Sequence, residues 1–191
     1  YTALDRLNKP DVKILTVEDP VEYQMPGINQ IQVKPQIDLT FANALRSIVR
    51  QDPDVIMIGE IRDLETAQIA VQSALTGHMV LSTVHTNDAA ATINRLLDMG
   101  VDDYLLTSTI IGIQAQRLVR RLCTHCKEPY HPVEEVVEQM GLRRFSKAAQ
   151  LTLYKPKGCE HCGHTGYFGR QSIMEVLPMS DTLRSLIMRH A

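Results

Sequence analysis

The chain has 191 residues, room for one α/β core and a small appended module. Apolar residues make up 44% and charged residues 22%, ordinary for a globular chain, and a net charge of −2 excludes a global basic field that would draw the whole protein onto nucleic acid or anionic lipid. No apolar run approaches the ~20 residues of a membrane helix. Tyr1 to Leu7 reads as the tail of a helix, and Val12 to Val17 as a buried, β-branched strand. Pro26-Gly27 leads into a second extended piece, Gly27 to Val33. Thr40 can cap a helix from Phe41 to Arg50, which Asp52-Pro53-Asp54 ends. Val55 to Ile58 reads as a central strand, Leu64 to Leu75 as a helix closed by Gly77, and Met79 to Val84 as another buried strand. Asp88 can cap a helix to Met99, and Tyr104 to Leu122 reads as one more helix with a basic last turn. Leu183 to Arg189 is helical in pattern.

Strand–helix–strand order implies a largely parallel sheet covered on both faces, with function at the C-terminal strand ends. From Cys123 onward Gly, Pro, Cys and His become frequent and apolar periodicity weakens. The expected organisation is therefore an α/β domain over residues 1–122, a cysteine-rich subdomain over 123–165, and a C-terminal helical segment of the first domain over 166–191.

Three strand ends carry the chemistry. The first delivers Glu18, Asp19 and Glu22. The second runs Val55-Ile56-Met57-Ile58 into Gly59-Glu60-Ile61-Arg62-Asp63, an apolar strand ending in a carboxylate, the Walker B arrangement that serves Mg²⁺ or an attacking water. The third ends in Ser82-Thr83-Val84-His85-Thr86-Asn87-Asp88, hydroxyls and an imidazole suited to sensing a γ-phosphate. Each residue alone is more often a solvated loop or satisfied polar group; the set together points to phosphoryl transfer. Arg46 and Arg50, four apart, would share one helix face, and Arg62 follows Glu60 by two. Guanidinium groups so placed can neutralise phosphoryl charge, although spacing alone favours surface ion pairs with Asp52, Asp54 and Asp63. Cys123-x-x-Cys126 and Cys159-x-x-Cys162 supply four soft thiolates, the ligand set of a closed structural Zn²⁺ site.

In this order the motifs resemble the traffic ATPases of type II secretion and, behind them, the type IV pilus assembly ATPases. The resemblance runs over essentially the whole chain. It is carried by Thr16–Glu22, Leu45–Asp54, Ile58–Asp63, Thr76-Gly77-His78 through Asn87, Ala115–Leu118, the cysteine pairs and Gly166–Arg170. It implies a RecA-like P-loop NTPase core in a homo-hexamer, using ATP, Mg²⁺ and Zn²⁺, cytoplasmic and peripheral at the inner membrane. Glu60 looks like the Walker B acid. Glu22, with Glu18 and Asp19, looks like the group polarising the attacking water. His85 looks like the γ-phosphate sensor, with His78 a weaker candidate. Arg46, Arg50, Arg62 and Arg170 look like phosphate-facing arginines at a subunit boundary.

One departure stands out: the family's phosphate-cradling G-x-x-x-x-G-K-[ST] loop does not occur in this sequence. Tyr1–Leu4 resembles the helix that should follow it. The expectation is a C-terminal fragment, inactive alone, lacking also the N-terminal domain that docks on inner-membrane platform proteins. Rival readings are the pilus assembly motor, a non-catalytic zinc-ribbon scaffold, and a nucleic-acid motor. The last is disfavoured by the net charge and by the lack of Trp for base stacking.

Overall fold

The computed structural model describes residues 1–189. The chain divides into two compact units, Tyr1–Ala115 with the segment from Glu175 onward, and Gln116–Met174. The elements run α1 (Thr2–Leu7), β1 (Ile14–Glu18), β2 (Asn29–Gln32), α2 (Phe41–Ile48), β3 (Val55–Ile58), α3 (Leu64–Leu75), β4 (Met79–Ser82), α4 (Ala89–Asp98) and α5 (Asp103–Thr109). They continue with β5 (Gly112–Leu122), β6 (Glu128–Tyr130), α6 (Glu134–Gln139), β7 (Leu153–Lys155), β8 (Tyr167–Pro178) and α7 (Asp181–Met188).

The first unit is built on a four-stranded sheet of order β2-β1-β3-β4, parallel throughout. Its two central strands, β1 and β3, are short and largely apolar because both faces are covered. Leu15, Val17, Ile56 and Ile58 point into a core with Leu45 and Ile48 of α2 and Ala67 and Ala70 of α3. Alternate residues Ile14 and Val55 pack on the opposite face with Leu4 of α1 and Ile28. Helix starts are fixed by side chains. Thr40 accepts from Asn43 N at 3.2 Å, Asp63 from Thr66 N at 2.8 Å, Asp88 from Ala91 N at 2.7 Å and Ser180 from Leu183 N at 3.2 Å.

Three expectations need correction. The helix over Tyr104–Leu122 stops at Thr109, and β5 follows. The stretch Thr107–Ile113 is dense in β-branched residues and includes Gly112, poor helix formers that extend readily, and β5 finds a partner in β8. The segment expected as helical from residue 166 accordingly opens with a strand, and only α7 is helical. Finally, β4 is a half-exposed edge rather than a buried strand.

The second unit holds a two-stranded antiparallel sheet of β6 and β7, with Glu128 facing Lys155. Lys157 pairs with Glu128 at 2.7 Å, and Lys127 lies over the Tyr154 ring at 4.2 Å. Among the described residues no helix is long and apolar enough to cross a membrane.

Ile56 on β3 is fully buried, so Ile56→Ala leaves a cavity and should cost about 3 kcal/mol. Ile37→Ala, at a residue 70% exposed, should cost less than about 0.5 kcal/mol. Urea denaturation midpoints of the two variants check this; equal losses would contradict the core assignment.

Candidate functional site

The parallel register places the ends of β1, β3 and β4 side by side: Val17 pairs with Ile58, and Ile58 with Ser82. Gly59 sits where a Cβ would lie 3.2 Å from Val17 O and 3.3 Å from Glu18 Cα, so a small residue lets the two strand ends close up. Gly59 N donates to Val17 O at 2.7 Å, Thr83 Oγ1 to Gly59 O at 2.7 Å, and Ile61 N to Thr83 O at 3.0 Å. The backbone on both sides of Glu60 is thereby fixed.

Glu60 is 8% exposed. Arg62 bonds its Oε1 at 2.5 Å and His85 Nε2 lies 3.0 Å from its Oε2. The Arg62 hydrogen bond, foremost, and the His85 contact hold the Glu60 carboxyl below its ordinary value of about 4.5, against the opposing effect of burial. Glu60 in turn raises the Arg62 guanidinium, and the field of Asp19 adds to this. Both partners of Glu60 reach outward: the Arg62 side chain is 63% exposed and that of His85 83%.

Glu18 forms a second, separate network. It is buried, and accepts hydrogen bonds from Thr16 Oγ1 at 2.5 Å, Gln30 Nε2 at 3.0 Å and the Tyr1 hydroxyl. Burial first, then the bond to Glu18, raises the Tyr1 phenol. The same hydroxyl accepts from Glu22 N at 3.2 Å, which fixes the backbone of the exposed Glu22. Tyr1 and Gln30 carry no signal in the sequence, because their partner Glu18 lies in another element.

The arginines divide. Arg62 belongs to the site. Arg46 on α2 bonds Glu65 of α3 and Asn43 Oδ1 at 3.0 Å, not the aspartates considered from the sequence. Arg50 is exposed in a 3₁₀ turn, Val49–Gln51, so α2 ends before it and the two do not share one α-helical face. Arg170 lies on β8 in the second unit. His78 precedes β4 at the opposite edge of the sheet, where its Nδ1 lies 2.9 Å from Ser73 O at the end of α3.

In the second unit Cys123, Cys126, Cys159 and Cys162 bring their four sulfurs within 4.8 Å of one another. Contacts of 3.9, 3.9 and 3.8 Å are too long for disulfides. They match the ~3.8 Å edge of a tetrahedron with ~2.3 Å metal–sulfur bonds, so the donor set fits a closed tetrahedral ion. Gly158 N donates to Cys126 Sγ at 3.3 Å, and Cys159 N and Gly166 N to Cys162 Sγ at 3.2 Å each. Burial, with the neighbouring thiols, pushes Cys126 up to about 11. At Cys162 burial acts in the same direction but is outweighed by those two N–H groups and the adjacent thiols, which hold it down at about 6. A cation held among the four sulfurs would offset the negative charge of thiolate ligands. Gly158 and Gly166 have positive φ and no room for a Cβ, which would lie 2.6 Å from His164 O and 2.5 Å from Pro156 Cβ. His125 and His161 stack on each other at 4.2 Å beside the cluster.

The chain matches the type II/IV secretion system protein family over residues 1–191 and belongs to it. It is 64% identical over 191 residues to the type II secretion system protein E of Xanthomonas campestris pv. campestris, covering all of this chain and 34% of that protein. It is 52% identical over 187 residues to the type IV pilus assembly ATPase PilB of Thermus thermophilus, covering 98% of this chain and 21% of that protein. The chain thus spans about a third or less of these relatives' lengths. Its fold is similar to the pilus retraction motor PilT with bound ADP, at a TM-score of 0.67 and 29% identity, over 98% of this chain and 45% of that one. The α/β, RecA-like class with a parallel sheet therefore holds.

A carboxyl with a lowered folded-state pKa stabilises the fold fully above its unfolded value and loses that contribution as pH falls through the folded one. Carbon-detected NMR should find the Glu60 midpoint below 4.5, and Arg62→Ala should raise it. A midpoint unmoved by Arg62→Ala would mean that the ion pair does not set it.

Proposed function

We propose that this chain is the C-terminal third of a Mg²⁺-dependent ATPase that, as a homo-hexamer, powers pseudopilus assembly and protein export in type II secretion. The observation that carries the reading is Glu60, ionised at the C-terminal edge of a parallel sheet and held by an outward-reaching His85 and Arg62. The higher identity to a type II secretion relative, 64% against 52%, ranks secretion above pilus assembly.

Glu60 would hold Mg²⁺ directly or through water; the bound ion supplies neutralisation of phosphate charge. Arg62, on an exposed arm, then exchanges Glu60 for phosphate oxygen. His85 donates to the γ-phosphate. Glu22, with its backbone tied to Tyr1, accepts the proton of the attacking water, and Glu18 and Asp19 complete the acidic set. Arg46, Arg50 and Arg170 face phosphate across a subunit boundary. The four cysteines hold a structural Zn²⁺. The protein works in the cytoplasm at the inner membrane, reaching platform proteins through a segment outside this chain, and does not bind nucleic acid. Because G-x-x-x-x-G-K-[ST] is not in this sequence, the chain alone binds ATP weakly.

In the full-length ATPase, Glu60→Gln should lower turnover by roughly 10²- to 10⁴-fold with unchanged circular dichroism. The 191-residue chain alone should hydrolyse ATP no faster than background. Turnover retained by Glu60→Gln would overturn the role given to Glu60, and brisk hydrolysis by the chain alone would overturn its dependence on the phosphate-cradling loop.

Elemental analysis of chelator-washed protein should find one zinc per chain with four thiols unreactive to Ellman-type reagents. No zinc and four reactive thiols would remove the metal from this reading.

A further inference from the structure

The segment between β4 and α4, Thr83–Asp88, carries His85 and must hold that ring over Glu60 although its side chain is 83% exposed. Its near end is anchored just past β3, through Thr83 Oγ1 to Gly59 O at 2.7 Å. Its far end joins α4, whose first turn presents backbone N–H groups without intrahelical partners. Asp88 takes the N–H of Ala91. Thr86 is tied to the same turn, its Oγ1 lying 2.8 Å from Thr92 Oγ1. The N–H of Ala89, a fully buried residue four positions after His85, donates to Glu175 Oε2 at 3.0 Å. Glu175 lies on β8, 86 residues downstream. A negative side chain there also suits the positive end of the α4 dipole.

We infer that Glu175 is a positioning residue for His85: it clamps the start of α4 and so sets where the His85 segment can go. Local capping by Asp88 fixes the helix start but ties the segment only to its own neighbours. Glu175 ties it to a distant strand of the same unit. Glu175 touches neither Glu60 nor His85 and acts only through Ala89. The inference rests on the ATPase reading of this site.

The test uses the full-length ATPase. Glu175→Ala should lower kcat on the order of 10- to 100-fold, the scale of a misplaced catalytic group, while KM for ATP moves less than about threefold. Glu175→Gln keeps a carbonyl acceptor for Ala89 N–H and should recover to within about threefold of the parent. In a His85→Ala background Glu175→Ala should cost nothing further, since both changes remove the same contribution. Amide exchange at Ala89 should quicken in Glu175→Ala and not in Glu175→Gln. Unchanged kcat for Glu175→Ala, or losses that multiply with those of His85→Ala, overturns the inference while leaving the ATPase reading intact if Glu60→Gln still abolishes turnover. Full turnover in both Glu60→Gln and Glu175→Ala would sink the two together.

Discussion

Parallel pairing of β1, β3 and β4 is the constraint on which the first unit depends. Strands that run the same way end on the same edge, so Glu18, Glu60 and the His85 segment arrive together without any of them being neighbours in sequence. That pairing in turn needs both sheet faces covered, which is why Ile14 and Val55 face α1 while Leu15, Ile56 and Ile58 face α2 and α3. The close approach at Gly59 is the local consequence: where β1 and β3 end, a side chain on Gly59 would press against the backbone of Val17 and Glu18.

The second unit solves a different problem. A segment of under sixty residues has little apolar area to bury, and only Cys123, Val137 and Cys162 among its hydrophobic residues are buried. Two of those three are members of the cysteine cluster. Backbone N–H groups aimed at sulfur, together with turns at Gly158 and Gly166 that admit no Cβ, bring four thiols to tetrahedral distances. The cluster occupies the place a hydrophobic core takes in a larger domain, and charge on sulfur is what it must manage.

Much of the first unit was legible in the sequence because its signals are local. α3 spans Leu64–Leu75 as its pattern indicates, and Thr40 and Asp88 cap the helices they precede. β3 was recognisable as an apolar run ending in Gly59-Glu60. What could not be read depends on partners far along the chain. β5 reads as the end of a helix because Arg117, Arg120 and Arg121 would make a basic last turn, and only pairing with β8 makes it a strand. His78 shares a motif with the His85 segment, yet a four-residue strand, ~13 Å long, separates the ends of β4 and puts the two histidines at opposite sheet edges. Tyr1, Gln30 and Glu175 have no local signature at all; each matters through a hydrogen bond to another element.

The asymmetry at Glu60 bears on how such a site can change state. The carboxylate is withdrawn from water, while both cationic or donating partners remain largely in it. Ionising a buried group is costly unless opposite charge or donors meet it, so Glu60 is always better off with a partner. Arg62 and His85 lose little hydration by pairing and therefore little by leaving, since an ion pair with an exposed arm is weak in itself. The site is stable with a cation on Glu60 but not committed to which one. Exchange of the Arg62 guanidinium for another positive group leaves the buried charge satisfied throughout, and releases an arginine at the same edge where His85 already points to solvent. A symmetric, fully buried pair would lack this property, because breaking it would strand two desolvated charges rather than one.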